Sequence, residues 1–174
     1  MTVHRASPLP TAESQGRLIV AEQVLSPTLA ELRRPHDDGS AHERLVLWAG
    51  RTVGTTSIIT SCITPRTNHG PQRVLLDESA VNDAARAART SSLGIIAQVH
   101  SHPGSDTRHS DGDDRLVLMP FESMFSLVVG DYGHGPIEPA DGAGLHQFQH
   151  GRWVQITNHD AFIVVPARLV GGNP

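Results

Sequence analysis

Residues Val99 to Asp114 read V-H-S-H-P-G-S-D-T-R-H-S-D-G-D-D. Three histidines, four aspartates and two glycines fall in these sixteen residues, directly after an apolar run. That run, Leu93 to His100, is of strand length and apolar on both faces, so it reads as a central strand. Side chains two apart in a strand point to the same face, so His100 and His102 stand side by side at its exit, before Pro103 ends the pairing. Ser110 then reads as a helix N-cap with Asp113 three residues on, which turns a first-turn carboxylate back toward the strand end. Two imidazoles and one carboxylate leave a fourth position open, as a catalytic zinc ion requires. Taken alone, Ser110 and Asp113 are an ordinary capping box, and a His-x-His pair is unremarkable among 11 histidines. It is their joint occurrence at one strand exit that points to a metal. Asp106, His109, Asp111 and Asp114 read as solvated loop and helix-start residues, with His109 kept as a substitute ligand.

Around this stretch the chain reads as alternating strands and helices. Arg17 to Leu25 is a first apolar strand, and Thr28 to Arg34, entered through Pro27, is a short helix that stops before Pro35. Glu43 to Gly50 and Thr55 to Thr64 form an antiparallel pair across a short turn, and residues 66–72 a loop around Gly70-Pro71. Asp77 to Thr90 is the most secure helix, alanine-rich with its acids early and arginines late. Asp111 to Met119 reads as a helix ending at Pro120, Met124 to Gly130 as a buried strand, residues 131–146 as a long loop, and His146 to Ile156 as two edge strands around His150-Gly151. The expected organisation is a loose leader over residues 1–16, one catalytic domain over residues 17–158 and a C-terminal extension over residues 159–174. Its fold class is an α/β sandwich with a mixed, mostly antiparallel sheet flanked by helices.

Composition narrows the function. A length of 174 residues suits one domain, and no window approaches the roughly 18 apolar residues of a membrane helix. Net charge is −4 without a basic block, so no nucleic-acid partner is expected. Residues 1–10 lack the apolar centre of a secretory signal and Cys62 is the only cysteine, so the expected location is cytoplasmic. Cys62, inside an apolar strand, reads as core. All 14 basic residues are arginine, which reads first as codon bias.

The spacing His100-x-His102, seven residues, Ser110-x-x-Asp113 resembles in full the signature of the JAMM (MPN+, Mov34/PAD-1-like) metalloproteases. These are zinc isopeptidases that cut ubiquitin and ubiquitin-like proteins from conjugates. The order of elements from about residue 17 to 156 is similar to that family's, and the resemblance implies its cytidine-deaminase-like sandwich. It implies one Zn2+ held by His100, His102 and Asp113, with attack by a zinc-bound water. It also implies an upstream acid/base glutamate at the start of a strand ending in glycine. H42-E-R-L-V-L-W-A-G50 looks like that segment, which makes Glu43 the acid/base residue, with Glu22, also in an apolar segment, as the alternative. Ser110 would support the oxyanion.

The substrate class implied is a ubiquitin-like or sulfur-carrier protein with its tail laid along a sheet edge, contacted by loops 65–73 and 131–146. A homodimer or partner protein is compatible with this. Cell-wall or other small peptides are the second substrate reading, and an inactive scaffold of the same fold is the non-enzymatic one. Amidohydrolase barrels need about 250 residues, and zinc deaminases need H-x-E with P-C-x-x-C. The end of the chain, Ala167 to Pro174 (ARLVGGNP), resembles a ubiquitin-like tail and reads as a flexible end.

Overall fold

The structure, a computed structural model, describes residues 7–116 and 120–169. Its centre is a nine-stranded mixed sheet. In chain order the strands are β1 (Thr11–Ala12), β2 (Arg17–Ala21), β3 (Leu45–Val53), β4 (Thr56–Ile63), then a separate small hairpin of β5 (Asn68–Gly70) and β6 (Arg73–Leu75). They continue with β7 (Gly94–Ser101), β8 (Phe125–Val129), β9 (Gly144–Gln149), β10 (Arg152–Ile156) and β11 (Phe162–Val165). Helix α1 (Leu25–Leu32) and helix α2 (Glu78–Thr90) pack on the sheet. The spatial order is β1-β10-β9-β8-β7-β3-β4-β2-β11, which puts β7 in the middle of the sheet, as its two apolar faces require.

Four neighbouring pairs are antiparallel (β10/β9, β3/β4, β3/β7, β8/β9) and four parallel (β1/β10, β11/β2, β2/β4, β7/β8). The sheet is mixed as expected, and the parallel share is larger than the sequence indicated because each parallel pair joins strands that are not consecutive hairpin partners, a pairing no local run of sequence encodes. β1 is two residues long and lies within the expected leader, and β11 lies within the expected C-terminal extension, so the sheet reaches beyond residues 17–158 at both ends. Residues 1–6 and the Gly-Gly end, residues 170–174, lie outside the described residues.

Each helix covers one face. Leu18, Val20, Leu32, Val46, Trp48, Val99 and Leu127 form the core on the α1 side. Thr28 fixes that helix to β3: its hydroxyl donates to Val24 O and accepts the Trp48 indole N–H, both at 2.8 Å. On the other face Ala80 and Ala84, one helical turn apart, let α2 settle on Leu45, Leu47, Val74 and Leu76. Asp77 caps α2 by accepting the Ala80 N–H at 2.7 Å. The first helix begins earlier than expected, at Leu25, with Pro27 tolerated in its opening turn. The expected loop at 66–72 folds as the β5/β6 hairpin, and the expected helix at 111–119 is a single 3-10 turn, Asp113–Arg115. Residues 117–119 of that expected helix lie outside the described residues.

The pairing of β3 with β4 shifts register between Ala49 and Gly50. There a Cβ on Gly50 would sit 1.8 Å from the Ile58 carbonyl oxygen, so only glycine allows this approach. Gly50→Ala is expected to destabilise the fold by about 2–3 kcal/mol or more, the range of core overpacking, read as a lowered midpoint in urea denaturation. An unchanged midpoint would show that the bulge yields freely.

Candidate metal centre

The centre forms where β7 ends. Leu45 on β3 and Val128 on β8 flank His100 in the ladder, and Ser101 prolongs the pairing: its N–H donates to Arg44 O and its hydroxyl accepts the Arg44 N–H, both at 3.0 Å. His102 donates its backbone N–H to Val129 O at 2.9 Å, and the chain then turns through Pro103. Segment 104–116 folds back over the strand exit and returns Asp113 to the two imidazoles.

His102 Nε2 lies 3.0 Å from Asp113 Oδ2 and 3.2 Å from His100 Nε2, and His100 Nε2 lies 3.4 Å from Asp113 Oδ1. All three residues are buried, and their ligand atoms lie within 4.8 Å of one another. Asp113 also forms the capping box with Ser110: its Oδ2 accepts the Ser110 N–H at 2.6 Å, and its own N–H donates to Ser110 Oγ at 3.2 Å. Capping and clustering therefore involve the same carboxylate, and neither reading of the motif displaces the other.

The donor set suits a divalent cation. His102 Nδ1 lies 2.8 Å from the Asp106 carbonyl oxygen, which can only accept, so this nitrogen carries the hydrogen. In the neutral ring the lone pair is then on Nε2, facing the cluster. Burial holds the His100 imidazole at a pKa of about 4, so it is neutral near pH 7. Burial works against ionisation of Asp113, but the two imidazoles outweigh it and keep the carboxyl well below the usual range. For His102, burial opposes protonation while Asp113 favours it and wins, so its pKa is raised. Two imidazole nitrogens and one carboxylate oxygen form a nitrogen-rich set that favours zinc-like metals over calcium or magnesium.

Glu43 lies just ahead of β3 and is 7% exposed. Its backbone N–H donates to Gly70 O of the β5/β6 hairpin at 3.0 Å. Burial raises its carboxyl to about 7, with smaller influences from His102 and Asp113 that locate it beside the cluster. Glu22, the alternative, is exposed, and its carboxylate accepts the Ala167 N–H.

Several contacts of Arg44, of the β5/β6 hairpin and of Tyr132 carried no signal in the sequence. The Arg44 guanidinium donates to Arg34 O, Pro35 O and His69 Nε2 at 3.1, 3.0 and 2.9 Å. Because a guanidinium only donates, His69 Nδ1 bears the hydrogen and donates to His42 Nδ1 at 3.0 Å. Tyr132, in left-handed backbone at φ 52°, donates its N–H to His102 O and its hydroxyl to Pro71 O. It thereby joins the two segments that the sequence marked as substrate loops. None of these contacts follows from local spacing, since each joins residues distant in the chain.

Residues 25–137 match the family model of prokaryotic homologs of the JAB domain. The "Probable metalloprotease y4jG" of Sinorhizobium fredii is 25% identical over 149 residues, 83% of this chain and 90% of that protein. The solution structure of protein DSY2949 from Desulfitobacterium hafniense superposes with a TM-score of 0.62 at 17% identity, covering 88% of this chain and 94% of that one. AF2198, a JAB1/MPN domain protein from Archaeoglobus fulgidus, gives a TM-score of 0.47 at 14% identity, covering 85% and 96%. Among the described residues no helix is long and apolar enough to cross a membrane.

The buried Glu43 carboxyl gives a test that needs no substrate. Its folded pKa is raised from an ordinary 4.5 to about 7. Below about pH 4.5 it is protonated in both folded and unfolded chains and leaves stability unaffected. Between there and about pH 7 the unfolded chain ionises first, so stability falls as pH rises. In metal-free protein, Glu43→Gln is therefore expected to match the parent at pH 4.5 and to exceed it by up to about 3 kcal/mol above pH 7, measured by urea denaturation. A difference independent of pH would contradict the burial of an ionisable Glu43.

Proposed function

The chain belongs to the family of prokaryotic homologs of the JAB domain, and from that premise we propose that it is a zinc-dependent isopeptidase or peptidase. Its substrate in this reading is a ubiquitin-like or sulfur-carrier protein, hydrolysed at the amide bond that follows the C-terminal tail. The observation that carries the reading is the convergence of His100, His102 and Asp113, with all three ligand atoms within 4.8 Å. These three would hold one zinc ion, which when bound polarises the scissile carbonyl and lowers the pKa of coordinated water to about 7.

The protein's own groups would do the rest. Glu43, raised to about 7, stands near the midpoint of its titration at neutral pH, so it can accept a proton from the attacking water and return it to the leaving amine. Ser110, held in place by its reciprocal bonds with Asp113, would direct its hydroxyl at the oxyanion. The β5/β6 hairpin and the turn at Asp131–Gly133, bridged by Tyr132 and Pro71, would border the bound tail and restrict it to an extended chain of small residues. No covalent enzyme intermediate is needed, and Cys62 remains a half-buried core residue, packed against the α1-side cluster.

Purified protein is expected to bind one zinc ion and to cleave ubiquitin-like fusions extended beyond Gly-Gly, with mass spectrometry reporting a cut after the second glycine. Chelation should abolish the cut and zinc restore it. Glu43→Gln should retain zinc while lowering kcat by about 10²–10⁴-fold, the scale of general acid–base catalysis. Cleavage that survives chelation would overturn the metal reading. Cleavage of short peptides but of no protein fusion would transfer the substrate to the peptide class. Activity lost in Glu22→Gln but kept in Glu43→Gln would overturn the assignment of the acid/base residue.

A further inference from the structure

We propose that His109 is a positioning residue: a buried chain of hydrogen bonds, Gln98–Ser126–His109–Asp114, locks the segment carrying Ser110 and Asp113 onto the sheet and thereby sets how Asp113 meets His100 and His102. This rests on the metal-centre reading above.

The chain starts in the ladder. Gln98 on β7 is the register partner of Ser126 on β8, which is in turn the partner of His146 on β9. Gln98, Ser126 and His146 thus form a polar row across three strands, on the face that carries His100 two residues beyond Gln98. All three are fully buried, as is His109, which lies over them.

The hydrogen-bond directions are determined by elimination. The Gln98 amide donates to Ser126 Oγ at 3.0 Å. The Asp114 carboxylate can only accept, so His109 Nδ1, 3.3 Å from Asp114 Oδ1, carries the hydrogen. In the neutral ring Nε2 is then the acceptor, and the Ser126 hydroxyl donates to it at 2.8 Å. Both ring nitrogens are engaged away from the cluster, so His109 serves neither as substitute ligand nor as a solvated loop residue. Its ring stacks on His146 at 4.0 Å and 28° and meets the Trp153 edge at 5.2 Å.

The position of the chain in the sequence gives it its effect. His109 immediately precedes Ser110 and Asp114 immediately follows Asp113, so the chain holds the capping pair from both sides. A second anchor lies close by: a Cβ on Gly144 would sit 1.9 Å from the Thr107 carbonyl oxygen, so β9 lets this segment approach to backbone contact. An apolar side chain at position 109 would bury similar area, but it would not fix rotation about the segment axis, which directed hydrogen bonds do. Partners behind the ligands commonly change metal affinity by about 10–100-fold.

The test compares Ser126→Ala, which removes one hydroxyl, with His109→Phe, which keeps the stacking ring and removes its nitrogens. Val20→Ala, on β2 in the core of the α1 side, serves as a control for general loss of stability. Zinc affinity is measured by competition with a chromogenic chelator, and Tm with and without zinc. Both variants are expected to weaken zinc binding at least 10-fold and to shrink the zinc-induced rise in Tm, while Val20→Ala lowers Tm and leaves affinity within 2-fold. If His109→Phe does not fold, Ser126→Ala decides alone. Affinities within 2-fold of the parent would overturn the proposal, and so would equal weakening in Val20→Ala. Failure of the unsubstituted protein to bind zinc would overturn the metal-centre reading itself, a result visible before any substitution is made.

Discussion

A single carboxylate oxygen of Asp113 answers to the Ser110 backbone N–H at 2.6 Å and to the His102 ring at 3.0 Å. The first contact fixes how the segment starts its 3-10 turn, and the second fixes where that turn lies against β7. Local folding and long-range docking thus meet in one side chain, and the rest of the site is arranged around it. β7 must be central, with β3 and β8 on either side, to bring both imidazoles to a buried strand exit. Segment 104–116 must fold back over it, and the hairpin of β5 and β6 must reach Glu43 from the other side. If Asp113 lost either contact, the remaining groups would be buried polar atoms without a shared centre, a costly arrangement.

The structure separates its cores accordingly. Apolar packing is continuous on the α1 face, from Leu18 through Trp48 to Leu127. On the opposite face the α2 cluster gives way to the polar row of Gln98, Ser126 and His146. Glu43 lies beside the cluster with its carboxyl raised to about 7. An ionisable group kept so far from its ordinary range costs stability at neutral pH, and such costs gather where a fold needs chemistry.

What could be read from the sequence followed from periodicity and spacing. The His100-x-His102 alternation, the Ser110–Asp113 interval and the alanine-rich stretch of α2 with its acids early and arginines late are local patterns, and each appears in the structure where the residues put it. Strands β3, β4 and β8 are legible from β-branched and apolar runs, whereas β9, expected at an edge, lies between β8 and β10. The remaining contacts are non-local. His109 looks like loop composition because its neighbours are polar, yet it is fully buried; only the register of β7 against β8 reveals Ser126 behind it. Arg44 and His69 meet from positions 25 residues apart, and no window of sequence spans such a pair. β1 is too short to show alternation, and β11, although the apolar run F-I-V-V, falls in the stretch read as a C-terminal extension.

Those two outermost strands have a consequence for how the molecule is assembled. Phe162 pairs with Leu18, and Thr11 with Gln155, so each margin of the sheet joins residues 144 positions apart, nearly the whole chain. Neither pair can form before the later strand of each has been made. As the chain leaves the ribosome, the strands around β7 can therefore meet before either rim has its partner. Until β11 is made the border at β2 stays open, and edge-to-edge pairing with other chains would begin there.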